Sequence, residues 1–165
     1  MPQNTVPSGS TITLTFVNGD LEVGEHAIVK GEGTPAKVTV SGTVYCEGDC
    51  TFECSLSAEN LEGENDITIN GDLEVKDRVN IEDGRLIVTG NMKAEKADVD
   101  RSIAVNRDFE VEEVDVGGSL KIGGKTTSER IDVGGTFEAE DEVKAESIEA
   151  GGSIMIKSKI DTEEI

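Results

Sequence analysis

Three cysteines lie close together in the chain and are the residues best suited to metal or redox chemistry. Cys46, Cys50 and Cys54 form a C-x3-C-x3-C run. Zinc and iron–sulfur sites usually use C-x2-C spacing, and no fourth soft ligand is evident nearby. The cysteines alternate with polar neighbours, as small core residues of a strand would, and their odd number argues against a disulfide framework. We therefore expect core packing, and a metal site is the alternative.

The chain contains a single histidine, His26. This excludes a metal centre built from three histidines of one chain, and it leaves acyl transfer with one candidate base. The Gly-Gly pairs at 117–118, 134–135 and 151–152 suggest a calcium-binding solenoid, but the third glycine and the aspartate of that nonapeptide are missing. We expect no catalytic residue, no cofactor and no enzyme activity.

Four carboxylates recur at a constant interval along the chain, and they are Asp98, Asp115, Asp132 and Glu149. Each stands between two apolar residues, so in a strand its side chain points outward. Carboxylates stacked roughly 5 Å apart repel one another. This acidic ladder can collect cations or face a basic partner, and it can equally be a solvated face that keeps neighbouring molecules apart.

A nine-residue pattern, apolar-x-apolar-x-Gly-x-apolar-x-apolar, would position these residues. Its copies begin at Thr15, Val38, Ile67, Leu86, Ile103, Val114, Ile131 and Ile148, and Arg107 replaces the glycine of one copy. The intervals between successive central positions are unequal. Divided by a unit of about 5.8 residues, they become about 4, 5, 3, 3, 2, 3 and 3 faces of a coil. The glycine therefore changes corner along a three-sided coil.

The alternation of apolar and polar residues within each copy indicates strands with one buried side. The predicted fold is an all-β, single-domain triangular β-solenoid with about 17 residues per turn and about nine turns. We assign residues 1–10 to a flexible N-terminal tail and residues 11–165 to the β-helix domain, with wider corners within 24–37 and 55–66. The four phenylalanines, Phe16, Phe52, Phe109 and Phe137, are assigned to the interior.

The formal net charge of −20 is large for 165 residues. It argues against binding to nucleic acid and to anionic membrane surfaces, which require a basic face. No long apolar run is present, so we expect neither a secretory signal nor direct membrane insertion. The expected location is the cytoplasm.

The two ends of the predicted rod are its remaining functional feature, because a solenoid without caps leaves unpaired strand edges and exposed core. Residue 165 is an isoleucine at the position where a new turn would begin. We expect the ends to form a self-assembly interface. Its residues are Ile12, Leu14 and Phe16 at one end and Ile148, Ile154, Ile156, Ile160 and Ile165 at the other.

Short units of the form G-D/S/T-apolar-x-apolar carry a resemblance to a known family. They are V-N-G-D-L-E-V at Val17, V-S-G-T-V-Y at Val40, I-N-G-D-L-E-V at Ile69 and G-G-S-L-K-I at Gly117. With these units, residues 12–165 resemble the bactofilins, which are polymer-forming cytoskeletal proteins. The resemblance implies a right-handed triangular β-helix, polymerisation through terminal contacts without nucleotide, and a scaffolding role beside proteins of the cell envelope.

The expected function is therefore a non-enzymatic, self-assembling scaffold whose main partner is another copy of the chain. The alternative is a monomeric binding module that presents the acidic ladder to a basic partner or to cations.

Overall fold

A computed structural model describes residues 4–164, and these form 23 β-strands and no helix. In chain order the strands are β1 (Asn4–Val6), β2 (Thr11–Leu14), β3 (Phe16–Val17), β4 (Leu21–Val23), β5 (Ile28–Gly31), β6 (Lys37–Val40), β7 (Thr43–Cys46), β8 (Cys50–Glu53), β9 (Ser55–Ala58), β10 (Asn60–Glu64), β11 (Ile67–Ile69), β12 (Leu73–Val75), β13 (Arg78–Glu82), β14 (Arg85–Val88), β15 (Met92–Val99), β16 (Ser102–Val105), β17 (Phe109–Val116), β18 (Ser119–Ile122), β19 (Thr126–Val133), β20 (Thr136–Ala139), β21 (Val143–Ala150), β22 (Ser153–Ile156) and β23 (Ile160–Glu164). All pairings between these strands are parallel, which confirms the predicted β-solenoid of about nine turns.

The strands stack into three faces. Face 1 is a nine-stranded sheet with the order β2-β5-β8-β11-β14-β16-β18-β20-β22. Face 2 contains β3, β6, β9 and β12, and face 3 contains β1, β4, β7, β10 and β13. From β15 onward a single long strand per turn bends round the corner between faces 2 and 3, so these two faces join into one 14-stranded sheet.

Stacking of like residues builds the core. Val114, Ile131 and Ile148 follow one another in register, one turn apart, as do Leu120, Phe137 and Ile154 on face 1. Inward and outward side chains alternate along each strand, so one continuous column of apolar residues fills the interior. This register is the repeat that the sequence predicts.

The interval from Gly19 to Gly42 was predicted to span about four faces of the coil, so that the glycine would change corner. The structure shows a different cause for its length. Gly19 and Gly42 lie at the same corner, because the Gly42 amide donates to the Gly19 carbonyl over 2.8 Å. The segment between them is therefore one ordinary turn plus a short excursion, which leaves the coil after β5. A bridge between Glu32 and Lys37 closes this excursion. The wider corner expected within 24–37 is present, whereas residues 55–66 form the regular strands β9 and β10.

Two other expectations are corrected near the N-terminus. Residues 4–6 fall within the predicted tail, but they form β1 and pair in register with β4, with Val6 beside Val23. Phe16 is expected in the interior, but its side chain points outward and is 61% exposed. The chain turns a corner at Thr15, and the alternation restarts there with Val17 inward. The other three phenylalanines are buried as predicted.

Close stacking at the corners explains the glycines of the pattern. The Gly135 amide donates to the Gly118 carbonyl over 2.8 Å, and Gly152 repeats this contact one turn later. A Cβ atom added at Gly134 would meet the carbonyl oxygen of Gly117 in the turn below. The close approach of successive backbones therefore favours glycine in these last turns, although Asp100 and Arg101 occupy the same corner one turn before Gly117 and Gly118.

Candidate functional site

The C-terminal end of the rod consists of β22 and β23. Each of these strands pairs with the preceding turn, and within residues 4–164 no further strand covers its other edge. The inward residues Ile154 and Ile156 are only half-buried, and Ile160 is 41% exposed. Ile148 lies one turn deeper and is buried, so it supports the end without being exposed there. Ile165 lies outside the described residues.

The N-terminal end consists of β1, β2 and β3. The inward residues Ile12 and Leu14 on β2 are half-buried, whereas Val6 on β1 is buried. Phe16 lies beside them but on the outside of face 2. Residues 4–19 contain no charged side chain, in a chain of which 30% is charged. This end is therefore an uncharged strand edge with part of the core accessible.

The acidic ladder is in register, as its constant spacing in the sequence predicts. Asp98 lies beside Asp115, Asp115 beside Asp132, and Asp132 beside Glu149, all exposed on face 3. Partial burial, and then the charges of Asp98 and Asp132, raise the pKa of Asp115. Like charges one strand spacing apart therefore repel one another at the centre of the ladder.

A second column of carboxylates was missed by the sequence analysis. Glutamates occupy the corner between faces 2 and 3 in successive turns, and neighbouring members line the same shallow depressions. They are Glu95, Glu112, Glu129, Glu146 and Glu163. Their constant spacing is visible in the sequence, but they lie outside the nine-residue pattern. Together with the acidic ladder, they make face 3 and its border strongly negative.

Face 3 is also acidic near its N-terminal end, around an open depression of about 400 Å³. Glu22, Tyr45, Glu47 and Glu62 line it. A hydrogen bond between the carboxyl groups of Glu47 and Glu22 raises the pKa of Glu47.

Part of the acidity on the other corners is structural. Between faces 1 and 2, the side-chain oxygens of Asp72, Asn91 and Asp108 each accept the backbone N–H at the start of the next turn, over 2.8, 3.0 and 2.9 Å. These side chains hold successive turns together. They are therefore less available to a ligand than the outward carboxylates of face 3.

The three cysteines are all buried in the core, which confirms the predicted packing. A hydrogen bond between the Cys46 and Cys50 thiols, together with burial, raises the pKa of Cys46, and the same hydrogen bond lowers the pKa of Cys50. Burial and the nearby Glu53 raise the pKa of Cys54 to about 11. In the described part of the chain, no three or more His, Cys, Asp or Glu side chains are arranged to hold a metal ion.

His26 lies on an exposed corner in the left-handed backbone region, with φ of 61°. Its Nε2 atom is 3.4 Å from the Glu25 carboxylate, and its side chain is 67% exposed. A solvated histidine beside one carboxylate has the environment of a surface residue.

No known protein family, curated protein or solved structure matches this chain. Among residues 4–164 there is no helix that could cross a membrane. The two ends of the rod and its charged faces are therefore the candidate functional surfaces.

Proposed function

We propose that this protein is a non-enzymatic scaffold of the bactofilin type, which polymerises without nucleotide by stacking its terminal turns. The observation that carries the proposal is the combination, at both ends, of a strand edge and incompletely buried core. Ile12 and Leu14 provide it at one end, and Ile154, Ile156 and Ile160 at the other. A second copy placed against either edge satisfies the backbone groups and buries the apolar side chains at once.

The strength of such a contact follows from its size. Covering one end buries roughly 300 Å² of apolar surface, which at about 25 cal/mol/Å² contributes about 7 kcal/mol. Association costs at least about 4 kcal/mol in lost translational and rotational freedom. Assembly should therefore depend on concentration, and salt should favour it because a chain of charge −20 repels its neighbours.

Substitutions in the last turn test the proposal. Ile156→Lys and Ile160→Asp each place a charge where the stacked core would form, and both should abolish filaments while the β-sheet circular dichroism signal remains. Ser158→Asp is the matched control, because it adds the same charge as Ile160→Asp to an exposed side chain of the same turn. Electron microscopy and light scattering provide the measurement.

Two results would count against the proposal in different ways. A wild-type protein that stays monomeric across concentration, salt and Mg²⁺ would exclude self-assembly altogether. Filaments that persist in Ile156→Lys and Ile160→Asp would show that the C-terminal turn is not the contact.

The acidic ladder favours a second candidate function, a monomeric module that binds a basic protein or cations. Asp98, Asp115, Asp132 and Glu149 offer aligned charges at strand spacing, and partial burial followed by repulsion from Asp98 and Asp132 raises the pKa of Asp115. A cationic partner would relieve that repulsion. Replacing the three aspartates with Asn and Glu149 with Gln should weaken binding of a basic peptide such as oligolysine and leave assembly intact. Unchanged binding would exclude this role for the ladder.

A further inference from the structure

Charge is distributed very unevenly over the three faces of the rod. Along the middle of face 3, the outward side chains in successive turns are Thr5, Glu22, Tyr45, Glu62, Asn80, Asp98, Asp115, Asp132 and Glu149. Along the middle of face 1 they are Thr11, Ile28, Thr51, Thr68, Ile87, Ala104, Lys121, Glu138 and Met155. The first line is dominated by carboxylates, whereas the second begins with uncharged residues and then has one charge of each sign.

The charges at the edges of face 1 are mostly neutralised by neighbours on the same face. Lys30 and Glu53 are 3.6 Å apart, and Arg85 and Asp66 are 3.0 Å apart. Lys157 lies 3.0 Å from Glu140 in the last two turns. The full set of outward charges on this face is Lys30, Arg85, Lys121 and Lys157 against Asp49, Glu53, Asp66, Glu138 and Glu140. Face 1 therefore contributes a single net negative charge to a chain of charge −20.

The central part of face 1 is also uncharged. Ile28, Thr51, Thr68, Ile87 and Ala104, here called the neutral strip, lie in consecutive turns and are all half-buried by their neighbours in the sheet. Short side chains at strand spacing form the type of surface on which two sheets pack at about 10 Å.

We infer that face 1 is a lateral interface between two copies of this chain, and that it joins the proposed filaments side by side. A basic partner would be drawn to face 3 and not to face 1. Face 2 serves less well for self-contact, because the middle line of its outward side chains has five charged residues, whereas that of face 1 has two; the five are Glu74, Lys93, Glu110, Lys144 and Asp161. The surface that matches the neutral strip in spacing and lack of charge is the same strip of another copy, in an isologous contact.

The size of face 1 sets how strong this contact can be. Nine strands at about 4.8 Å give a length of roughly 40 Å, and a width of about 15 Å gives roughly 600 Å² per copy. The total of about 1,200 Å² is at the lower limit for a stable protein interface. Isolated molecules should therefore pair weakly, whereas filaments should pair firmly because each added subunit repeats the contact. The firm side-by-side pairing therefore rests on the proposed end-to-end assembly.

Ile87→Lys tests the interface directly. It places a charge in the middle of the neutral strip while lowering the net negative charge of the chain, so a general charge effect would strengthen pairing. Asn80→Lys is the matched control, because it adds the same charge to the middle of face 3. Asn80 lies on β13, the strand that precedes β14 along the chain. Electron microscopy gives the filament width, and scanning transmission microscopy gives the mass per unit length.

The expected result is paired filaments for the wild type and Asn80→Lys, and single filaments with half the mass per unit length for Ile87→Lys. Wild-type filaments that are already single, or an Ile87→Lys variant that still pairs, would overturn the lateral interface and leave end-to-end assembly standing. A wild type that forms no filaments would overturn end-to-end assembly, and with it the lateral pairing.

Discussion

Thr126 offers the sharpest test of how the interior of the rod is packed. It lies on β19, stacked between Phe109 and Val143, and its side chain is 1% exposed. Its Oγ1 atom is buried and has no hydrogen-bond partner among residues 4–164. Leaving a buried hydroxyl unsatisfied costs about 1–3 kcal/mol. Valine has nearly the same shape and lacks the hydroxyl, so Thr126→Val should raise the free energy of unfolding by about 1–2 kcal/mol.

The two following residues provide matched controls. Thr127 points outward and is exposed, so Thr127→Val should change stability by less than about 0.5 kcal/mol. Ser128 is nearly buried, but its Oγ lies 3.1 Å from the Glu112 carbonyl and 3.3 Å from the Arg130 carbonyl. Ser128→Ala removes the hydroxyl that donates to these carbonyls and should lower the free energy of unfolding by about 0.5–1.5 kcal/mol.

Urea unfolding followed by far-ultraviolet circular dichroism measures all three variants. For a domain of this size, the gain expected for Thr126→Val corresponds to an increase in Tm of roughly 2–8 °C. A Thr126→Val variant that is less stable than the wild type, or no more stable than Thr127→Val, would show that the hydroxyl has a partner and that the reasoning is wrong.

Two further predictions concern ionisation. Burial and neighbouring carboxylates raise the folded-state pKa of Asp115 above its unfolded value, so its contribution to stability falls as pH rises through that raised pKa. Asp115→Asn should therefore raise the urea midpoint at pH 7. This gain should vanish below about pH 4, where the carboxyl group is protonated in the unfolded chain as well. An equal gain at pH 7 and below pH 4 would refute the prediction. The buried thiols of Cys46, Cys50 and Cys54 should react with iodoacetamide at about pH 8 far more slowly in the native protein than in guanidinium chloride, as mass spectrometry can show, and equal rates would contradict their burial.

The C-terminal half of the coil could be predicted from the sequence, because its turns all have the same length and like residues recur at one constant interval. Val114, Ile131 and Ile148 are evenly spaced in the sequence and adjacent in the structure. The same spacing correctly aligned the acidic ladder. Where turns have equal length, a residue number is sufficient to assign a position on the rod.

The irregular half could not be assigned in this way. The interval from Gly19 to Gly42 fits four faces of the coil as well as it fits one turn with a short excursion, and only the hydrogen bond between these glycines distinguishes the two. The error at Phe16 had another cause. The prediction continued the alternation of Ile12 and Leu14 to Phe16, whereas the copy beginning at Thr15 puts Phe16 at an outward position.

Two of the three ion pairs on face 1 were beyond sequence analysis for a related reason. Asp66 and Arg85 form one ion pair and Lys30 and Glu53 another, and in neither pair does the separation along the chain match the regular repeat. Their proximity depends on the lengths of the intervening turns. A neutral face in a chain of charge −20 becomes visible only after those turns have been placed.

The excursion closed by Glu32 and Lys37 shows that this corner accepts extra residues without disturbing the turns above and below it. A peptide tag inserted there would project sideways from the rod and leave both ends free. In an end-to-end polymer of nine-turn subunits that all point the same way, such tags would recur about every 40 Å. If successive subunits alternate in direction, the tags would instead form unequally spaced pairs, and the pairs would recur at twice that distance. The spacing between tags at this corner, measured along the filament, would therefore show whether successive subunits point in the same direction.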